Sequence, residues 1–179
     1  MANMIRGMAA GLLAGCAASW AMQAFAQMEP VHPRPRQKGG PNGGESAGSS
    51  RPREVLKQEG QDEDATVKTA QAVSRKLFEH DLTDDEKQIA APVVHYAFGS
   101  VMGALYGGLA EVMPGLGAGV GLPYGFALWM LGDEIAVPAL GLSKGPTDYP
   151  VGVHADALSA HLMYGMTTDA LRRVLRHVI

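Results

Sequence analysis

Histidines and carboxylates that lie in or beside apolar stretches are the residues of this sequence best suited to chemistry. A charged side chain at membrane depth costs at least ~2.5 kcal/mol on insertion scales, so such groups usually face other helices and find partners there. One group falls near the same end of the predicted helices, here called face A, and its last member lies about 10 Å deeper. Its members are His95, Asp133, Glu134, His154, Asp156 and His161.

This group predicts a site that responds to protons or cations, with His95, Asp133, Glu134, His154 and His161 as its candidate residues. Histidine changes charge near neutral pH, and nearby carboxylates favour its charged form while a dry site opposes it. In a second interpretation the two carboxylates only pair with histidines or interfacial water and hold one helix in place. A metal site is a weak third interpretation, because no His-x-x-x-His spacing occurs. We expect neither a metal nor a cofactor.

A second polar group falls at the opposite end of the predicted helices, here called face B. It contains Glu111 and Arg172, together with Asp169, Arg173 and, at the start of the chain, Arg6. Opposite charges on neighbouring helices lower the cost of burying each other. We therefore predict that Glu111 pairs with Arg172, with Arg173 and Arg6 as alternative partners, and that the pair locks two helices together.

Several function classes find no support in the sequence. It contains no nucleophile motif, phosphate-binding loop or nucleotide fingerprint. The net charge of -3 argues against a nucleic-acid partner, and the single Cys16 excludes an internal disulfide. We therefore do not expect a conventional enzyme, and we predict no catalytic residues.

Charge is distributed unevenly along the chain. Residues 29 to 88 hold 10 of the 15 Lys and Arg residues and 12 of the 18 Asp and Glu residues, so the rest is too apolar for an ordinary soluble surface. We predict an all-α fold: a polytopic membrane bundle of about four transmembrane helices with a disordered Pro/Gly-rich loop and a surface amphipathic helix. The predicted ranges are a first span at 1–28, a linker at 29–61, an amphipathic helix at 62–81, and further spans at 83–113, 116–140 and 153–179.

The first span has two alternative interpretations. Residues Gly7 to Met28 carry no charge and, at roughly 1.5 Å per residue, are long enough to cross a hydrocarbon core of ~30 Å. The stretch "LLAGC" ending at Cys16 also matches a lipoprotein cleavage box, and "AFAQ" ending at Gln27 resembles a signal-peptidase site. Apolar sequence continues beyond Cys16, which favours a retained helix.

The helix predicted over 62–81 has one apolar side. Val67, Ala70, Val73, Leu77 and Phe78 share that side, with basic residues among the polar positions. The helix either lies on the membrane surface or packs on the protein's own loops. The stretch "TDDE" that follows it is a capping box and predicts the start of the next helix.

Glycines recur at four-residue spacing in three of the predicted spans. Lipid gives helices no hydrophobic reason to associate, so small residues at this spacing let backbones approach closely. We predict that these glycines pack helices within one chain, and packing between subunits stays an alternative. They are Gly7, Gly11, Gly15, Gly99, Gly103, Gly107, Gly117, Gly121 and Gly125.

The stretches "HYAFGSVMGALYG", "LWMLGDEIAVPALGL" and "HLMYGMTTDALRRVL" resemble the YagU-like family of small bacterial inner-membrane proteins, whose biochemical function is unassigned. The likeness covers the first span and the chain from about Asp64 onward, and the linker looks like an insert. The resemblance implies a multi-pass helical protein of the cytoplasmic membrane that is linked with acid tolerance. The positions that match are His95, Gly99, Glu111, Asp133, Glu134, His154 and His161.

Basic residues predict the orientation. Arg6 and the three arginines near the C-terminus, against Lys144 alone, favour both termini in the cytoplasm. Face A would then lie on the periplasmic side. Two functional hypotheses remain open: a pH-responsive protein that handles protons or cations, and a non-conducting scaffold or accessory subunit that binds a membrane protein or a second copy through its glycine faces. The lipid bilayer is the expected partner under both.

Overall fold

The computed structural model describes residues 2–28 and 65–178, and every regular element within those ranges is helical. The linker predicted over 29–61 and the first residues of the helix predicted over 62–81 lie outside the described residues. The helices are α1 (Ala2–Gln27), α2 (Ala65–Phe78), α3 (Asp84–Val112), α4 (Leu122–Leu128), a π-helix (Trp129–Ala136), α5 (Val137–Ala139) and α6 (Val151–Val178).

The start of α3 is held by its predicted capping box. The Thr83 hydroxyl accepts a hydrogen bond from the Glu86 backbone N–H at 3.4 Å, and the Glu86 carboxylate accepts one from the Thr83 backbone N–H at 2.7 Å. Two backbone groups that a helix start leaves unpaired are thereby satisfied. The prediction made from "TDDE" is confirmed.

Helices α1 and α3 touch through three pairs of glycines. A Cβ atom added to Gly11 would overlap the Gly103 carbonyl, and one added to Gly103 would overlap the Gly11 carbonyl. Residue numbers rise along one helix as they fall along the other, so the two helices run antiparallel. The facing pairs are Gly7 with Gly107, Gly11 with Gly103 and Gly15 with Gly99.

Helices α4 and α6 meet in the same way. A Cβ on Gly121 would overlap the Gly165 carbonyl, and one on Gly125 would overlap the His161 carbonyl. Any side chain at these positions would push the two backbones apart, because the atoms in the way belong to the main chain. The pair α4 and α6 is therefore a second antiparallel glycine contact within the chain.

The helix predicted over 116–140 begins later than expected, at Leu122. Gly119 and Gly121 have φ of 78°, and Val120 between them has φ of 54°, so the backbone there is left-handed and cannot be helical. Pro123 then occupies the first turn of α4, where its missing N–H is not needed. The residues that follow form the π-helix rather than a continued α-helix.

Small and polar residues fill the interior of the described bundle, and the large apolar side chains lie on its outer surface. Within residues 2–28, 65–76 and 78–178 the buried apolar residues are alanines and two tyrosines, and no Leu, Ile, Val, Phe or Met side chain is buried among them. Fully buried side chains include Ser19, Thr168 and Asp169. Exposed apolar side chains include Ile5, Leu13, Trp20, Ile89, Val93, Phe98, Leu105, Leu131 and Ile135.

Helix α2 packs on α3 through part of its predicted apolar side. Ala70 is buried, and the Ser74 hydroxyl donates to the His80 carbonyl at 2.8 Å, which closes the turn between the two helices. Val73 and Phe78 remain exposed. Helix α2 thus packs on α3 through one edge of its apolar side, and the opposite edge stays exposed.

Two described helices are long and apolar enough to cross a membrane, as judged by length and composition: the stretch Asn3–Gln27 of α1, and α3 over Asp84–Val112. The other two predicted spans differ from these for visible reasons. The third is divided among α4, the π-helix and α5, and α6 carries one charged residue near its start, Asp156, and several near its end, from Asp169 to Arg176. The assignment of four transmembrane helices stays a prediction.

Candidate functional site

At face A the two predicted carboxylates meet two predicted histidines. Nδ1 of His154 lies 2.6 Å from Oε1 of Glu134, and Nδ1 of His161 lies 3.6 Å from Oδ2 of Asp133. These contacts, here called the histidine pairs, join the π-helix to α6. Four of the five residues predicted for this site are therefore brought together two by two.

The ring of His154 lies between two acceptors. Its Nδ1 faces the Glu134 carboxylate, and its Nε2 lies 2.9 Å from the carbonyl of Pro146. A carbonyl and an ionised carboxylate only accept hydrogen bonds, and a neutral imidazole carries one N–H while the protonated ring carries two. Only the protonated ring can donate to both neighbours at once.

The His161 ring makes a different arrangement. Its Nδ1 lies 2.9 Å from the Ala157 carbonyl one turn earlier, as well as 3.6 Å from Asp133. An N–H on Nδ1 can donate to the nearer acceptor, the Ala157 carbonyl, and the Asp133 carboxylate lies beyond hydrogen-bond distance of the same nitrogen. His161 is also the deeper of the two along α6.

The π-helix determines how the carboxylates are presented. Asp133 and Glu134 lie near the middle of Trp129–Ala136, where backbone hydrogen bonds span five residues instead of four. This widening rotates consecutive side chains relative to an α-helix, and π-helical turns are frequent at functional sites. Nothing in the sequence pattern separates this segment from the α-helix predicted for it.

A half-open cleft of about 580 Å³ lies beside the histidine pairs. Its charged and titratable lining comes from α2, from the π-helix, from the segment that precedes α6 and from α6 itself. These residues are Lys68, Asp133, Glu134, Lys144, Tyr149 and His154. The cleft opens beside His154, Glu134 and Asp133, so a proton can be exchanged there.

The fifth predicted residue, His95, lies on α3 and outside the histidine pairs. Its ring meets the edge of the Tyr96 ring at 5.9 Å between centroids. Its Nε2 is buried without a hydrogen-bond partner among the described residues. The structure thus separates His95 from the pairs that the predicted depth grouped with it.

At face B, Glu111 pairs with two arginines. Arg176 donates to both carboxylate oxygens at 2.7 and 3.0 Å, and Nη1 of Arg172 lies 3.5 Å from Oε1. The structure thus brings together Glu111 and Arg172 and adds a closer partner. A two-bond contact of a guanidinium with a carboxylate is the stronger geometry.

Asp169 is the fully buried member of the same region. Its carboxylate accepts hydrogen bonds from the Tyr106 hydroxyl at 2.9 Å and from Nε of Arg173 at 2.9 Å, with Nη2 of Arg172 at 3.5 Å. Arg173 also donates to the Gly117 carbonyl at 2.5 Å. We call Glu111, Asp169, Arg172, Arg173 and Arg176 the arginine cluster.

Sequence reasoning placed Asp169 near face B but missed its central position. The spacing to Arg172 and Arg173, three and four residues, is the helical spacing at which opposite charges meet, so this signal was available. The hydrogen bond from Tyr106 to Asp169 could not be foreseen, because it joins residues on two helices that are 63 positions apart in the sequence.

Within residues 2–28 and 65–178, no three His, Cys, Asp or Glu side chains converge as they would to hold a metal ion. The chemistry that the site does offer is proton exchange on an imidazole held between acceptors, together with fixed guanidinium contacts at the other end.

Comparison with known proteins identifies a family. A model of the family described as proteins of unknown function, DUF1440, matches residues 41–170. The matched range includes both histidine pairs and Asp169, and it includes part of the linker but not α1. Neither the curated proteins nor the solved structures contain a match to the chain. Because this match covers more than half of its length, the chain belongs to the DUF1440 family of proteins of unknown function.

Proposed function

We propose that this chain is a YagU-like integral protein of the bacterial inner membrane, with four membrane-crossing segments, that responds to protons through the histidine pairs. The observation that carries the proposal is the position of His154 between the Glu134 carboxylate and the Pro146 carbonyl. A link with acid tolerance would follow from such a response.

The distribution of side chains supports the membrane part of the proposal. In water, a surface covered by large apolar residues over an interior of glycine, alanine and polar groups would be unstable. In lipid the same arrangement is favourable, because small residues allow close helix packing and polar groups find partners only inside. The two apolar helices α1 and α3 agree with this interpretation.

The chain direction supports an even number of crossings. Gly7, near the start of α1, and Arg176, near the end of α6, both lie beside Glu111. The two termini of the bundle are therefore at the same end, as four consecutive crossings require. The arginines at this end favour its placement in the cytoplasm, which would put the histidine pairs on the periplasmic side.

Protonation would change how tightly the segment before α6 is held. With a charged ring, His154 bonds to the π-helix and to the 3-10 turn Pro146–Asp148 at once, and with a neutral ring one of these contacts has no hydrogen. The charged groups that line the cleft around the ring are Lys68, Asp133, Glu134 and Lys144. Acidification would thus tighten this end of the bundle.

The packing favours a response over an open channel. Between the histidine pairs and the arginine cluster, α4 and α6 are in backbone contact at Gly121, Gly125 and Gly165. So close a contact leaves no room for a column of water along that interface. We therefore place the proton-dependent event at face A.

The packing gives less support to the scaffold hypothesis, which needs the glycine faces to be free for a partner. The glycine faces of α1, α3, α4 and α6 are occupied by one another within the chain. A membrane-protein partner or a second copy would have to bind the exposed apolar side chains instead.

The test uses the fluorescence of Trp129, which begins the π-helix and is one of the chain's 2 tryptophans. In a Trp20→Phe background the purified protein in lipid nanodiscs is titrated from pH 8 to pH 5. We expect a sigmoidal change that His154→Gln removes. His80→Gln is the matched control, since His80 also faces a carboxylate, Glu86 at 3.1 Å, but lies outside the cleft. A titration that His154→Gln leaves unaltered would refute the proposal.

Proton flux into liposomes under an imposed pH gradient separates response from conduction. We expect liposomes with the native protein to leak no faster than empty ones. Flux that the native protein supports and His161→Ala abolishes would show conduction and contradict the closed packing described above.

A further inference from the structure

Another opening lies between α2 and the start of α3. It is an open crevice of about 590 Å³, here called the α2 crevice, and its charged and amide lining consists of Lys68, Gln71, Arg75, Asp81 and Lys87. Three of these side chains are basic and one is acidic, so the local charge is positive although the whole chain has a net charge of -3. The α2 crevice therefore suits an anion rather than a cation.

The carboxylate that lines the α2 crevice is bonded to two of its neighbours. Nε2 of Gln71 donates to Oδ1 of Asp81 at 2.8 Å, and Nε of Arg75 donates to the same oxygen. A guanidinium has five N–H groups in a planar fork, and this contact uses one of them. Arg75 can therefore donate to a further acceptor in the crevice while it keeps its contact with Asp81.

The ammonium group of Lys68 has no acceptor in the part of the chain that the structure describes. Lys68 is partly buried, and it lines both the α2 crevice and the cleft beside the histidine pairs. The side chain of Lys87 is 25% exposed, and its Nζ lies 3.9 Å from Oδ1 of the exposed Asp84. An ammonium that is partly shielded from water loses some of its hydration, and an anion in the crevice would replace that hydration.

We propose that the α2 crevice binds a phosphate group, with Lys68, Arg75 and Lys87 as its hydrogen-bond donors. Phosphate oxygens are charged acceptors, the guanidinium fork matches their spacing, and an ammonium supplies three further N–H groups. A lipid headgroup and the free ion both present this group. The site itself does not depend on the proton response of the histidine pairs, and only the lipid source rests on the membrane-crossing part of the proposed function.

The position of the crevice makes a lipid headgroup one source of the phosphate. Helix α3 has 29 residues, about 43 Å at roughly 1.5 Å per residue, which exceeds a hydrocarbon core of ~30 Å. Lys87 lies in its first turn, and the apolar residues Ile89 and Val93 that follow are exposed. If α3 crosses the membrane as proposed, this change from polar to apolar residues lies at the level of the headgroups. Basic pockets between helices at that level bind lipid headgroups.

The experiment measures the melting temperature of the full chain in a neutral detergent as a phosphate probe is added. One probe is inorganic phosphate, with sodium chloride at equal ionic strength as its blank. The other is phosphatidylglycerol in mixed micelles, with the corresponding diacylglycerol as its blank. A ligand that binds only the folded protein raises the melting temperature, and the concentration dependence gives Kd. We expect at least one probe to exceed its blank, and no rise with either probe would overturn the proposal.

Substitutions locate the binding. Lys68→Gln and Lys87→Gln should each raise Kd about tenfold, which corresponds to the loss of one charge-assisted hydrogen bond. Lys76→Gln is the matched control on α2 outside the crevice, Lys144→Gln is the control in the other cleft, and both should keep the native Kd. Each Kd comes from the rise above the variant's own starting temperature, so a less stable variant does not imitate a loss of binding. A native Kd in both crevice variants, or a Kd raised by Lys144→Gln instead, would overturn the proposal.

The two probes also separate the two sources of phosphate. A rise with phosphatidylglycerol alone would assign the crevice to a lipid headgroup, a rise with inorganic phosphate alone would assign it to the free ion, and a rise with both would show that it accepts either. Each of these results supports the phosphate site. The fluorescence titration of Trp129 tests the histidine pairs separately, so either proposal can fail while the other stands.

Discussion

The two ends of α6 carry the same kind of contact in opposite settings. At face A, carboxylates of the π-helix meet histidines beside an open cleft, and at face B a fully buried carboxylate meets arginines and a tyrosine. Histidine gains and loses its proton near neutral pH, whereas arginine stays charged at any pH a protein meets. The first arrangement can change with conditions, and the second is permanent.

The difference indicates a division of labour along one helix. The arginine cluster ties α6 to α3 through contacts that acid does not break in the physiological range. The histidine pairs tie α6 to the π-helix, and the contact of His154 with Glu134 is the one that we propose to depend on pH. A helix that is fixed at one end and adjustable at the other suits a local response.

A substitution in the glycine contact between α4 and α6 should cause the largest loss of folded protein. In Gly165→Leu the new side chain would meet the Gly121 carbonyl and the backbone of Gly125, so α4 and α6 cannot stay in contact. We expect almost no folded protein in size-exclusion chromatography after detergent extraction. Gly132→Leu is the control, since nothing lies within 4 Å of a Cβ at that position. Normal recovery of the Gly165 variant would contradict the close packing.

A substitution in the arginine cluster should cause the next largest loss of stability. Asp169→Asn removes a buried charge that Arg172 and Arg173 neutralise. Removing one member of a buried ion pair typically costs about 3–5 kcal/mol. Thermal unfolding of the purified variant measures this loss. Asp133→Asn, the same change in a histidine pair and at a half-exposed carboxylate, should cost clearly less. Equal losses would remove the distinction between the two ends.

A substitution in the histidine pairs should change the pH dependence of the melting temperature more than the melting temperature itself. Protonated His154 bonds to both of its acceptors. The melting temperature of the native protein should therefore exceed that of His154→Gln by more at pH 5.5 than at pH 7.5. We expect the two melting curves to converge as the pH rises. Glu111→Gln, at the other end, should lower the melting temperature by the same amount at both pH values. A constant gap between native protein and His154→Gln would show that the pair does not titrate.

The smallest effect is expected outside both regions, at Asp81. The Arg75 side chain donates to this exposed carboxylate and lowers its pKa below the usual value. A lowered pKa stabilises the fold at neutral pH, and the contribution disappears as the pH falls through that pKa, below about 4. Asp81→Asn should therefore speed hydrogen exchange in α2 slightly at pH 7 and not at pH 3. Exposed pairs contribute little, so the melting temperature should hardly move.

Local features of the fold were readable from the sequence because they depend on neighbouring residues. The capping box at Thr83 and the four-residue glycine spacing both follow from the geometry of a single helix. The antiparallel match of the glycines of α1 to those of α3 was not readable, since many pairings of glycine faces are equally compatible with spacing alone.

The candidate site was predictable in its members more than in its arrangement. Depth along the predicted helices grouped His154, His161, Asp133 and Glu134, which the structure brings together two by two, but it also included His95, which lies on α3 outside the pairs. Depth gives the position along a helix axis, and the direction of a side chain around that axis depends on how the helices pack. The π-helix adds a rotation that no spacing rule anticipates.

By itself the sequence determined that charges would be paired inside, that glycines would pack helices, and that a helix would begin after Thr83, because an apolar chain with few charges must pair those charges and must space its glycines to pack. Only the tertiary structure decided that His154 lies between two acceptors and that Asp169 accepts a hydrogen bond from Tyr106 of α3 as well as from arginines of α6. The contacts of His154 with Glu134 and of Asp169 with Tyr106 join residues 20 and 63 positions apart, and their geometry is set by helix packing rather than by any local pattern.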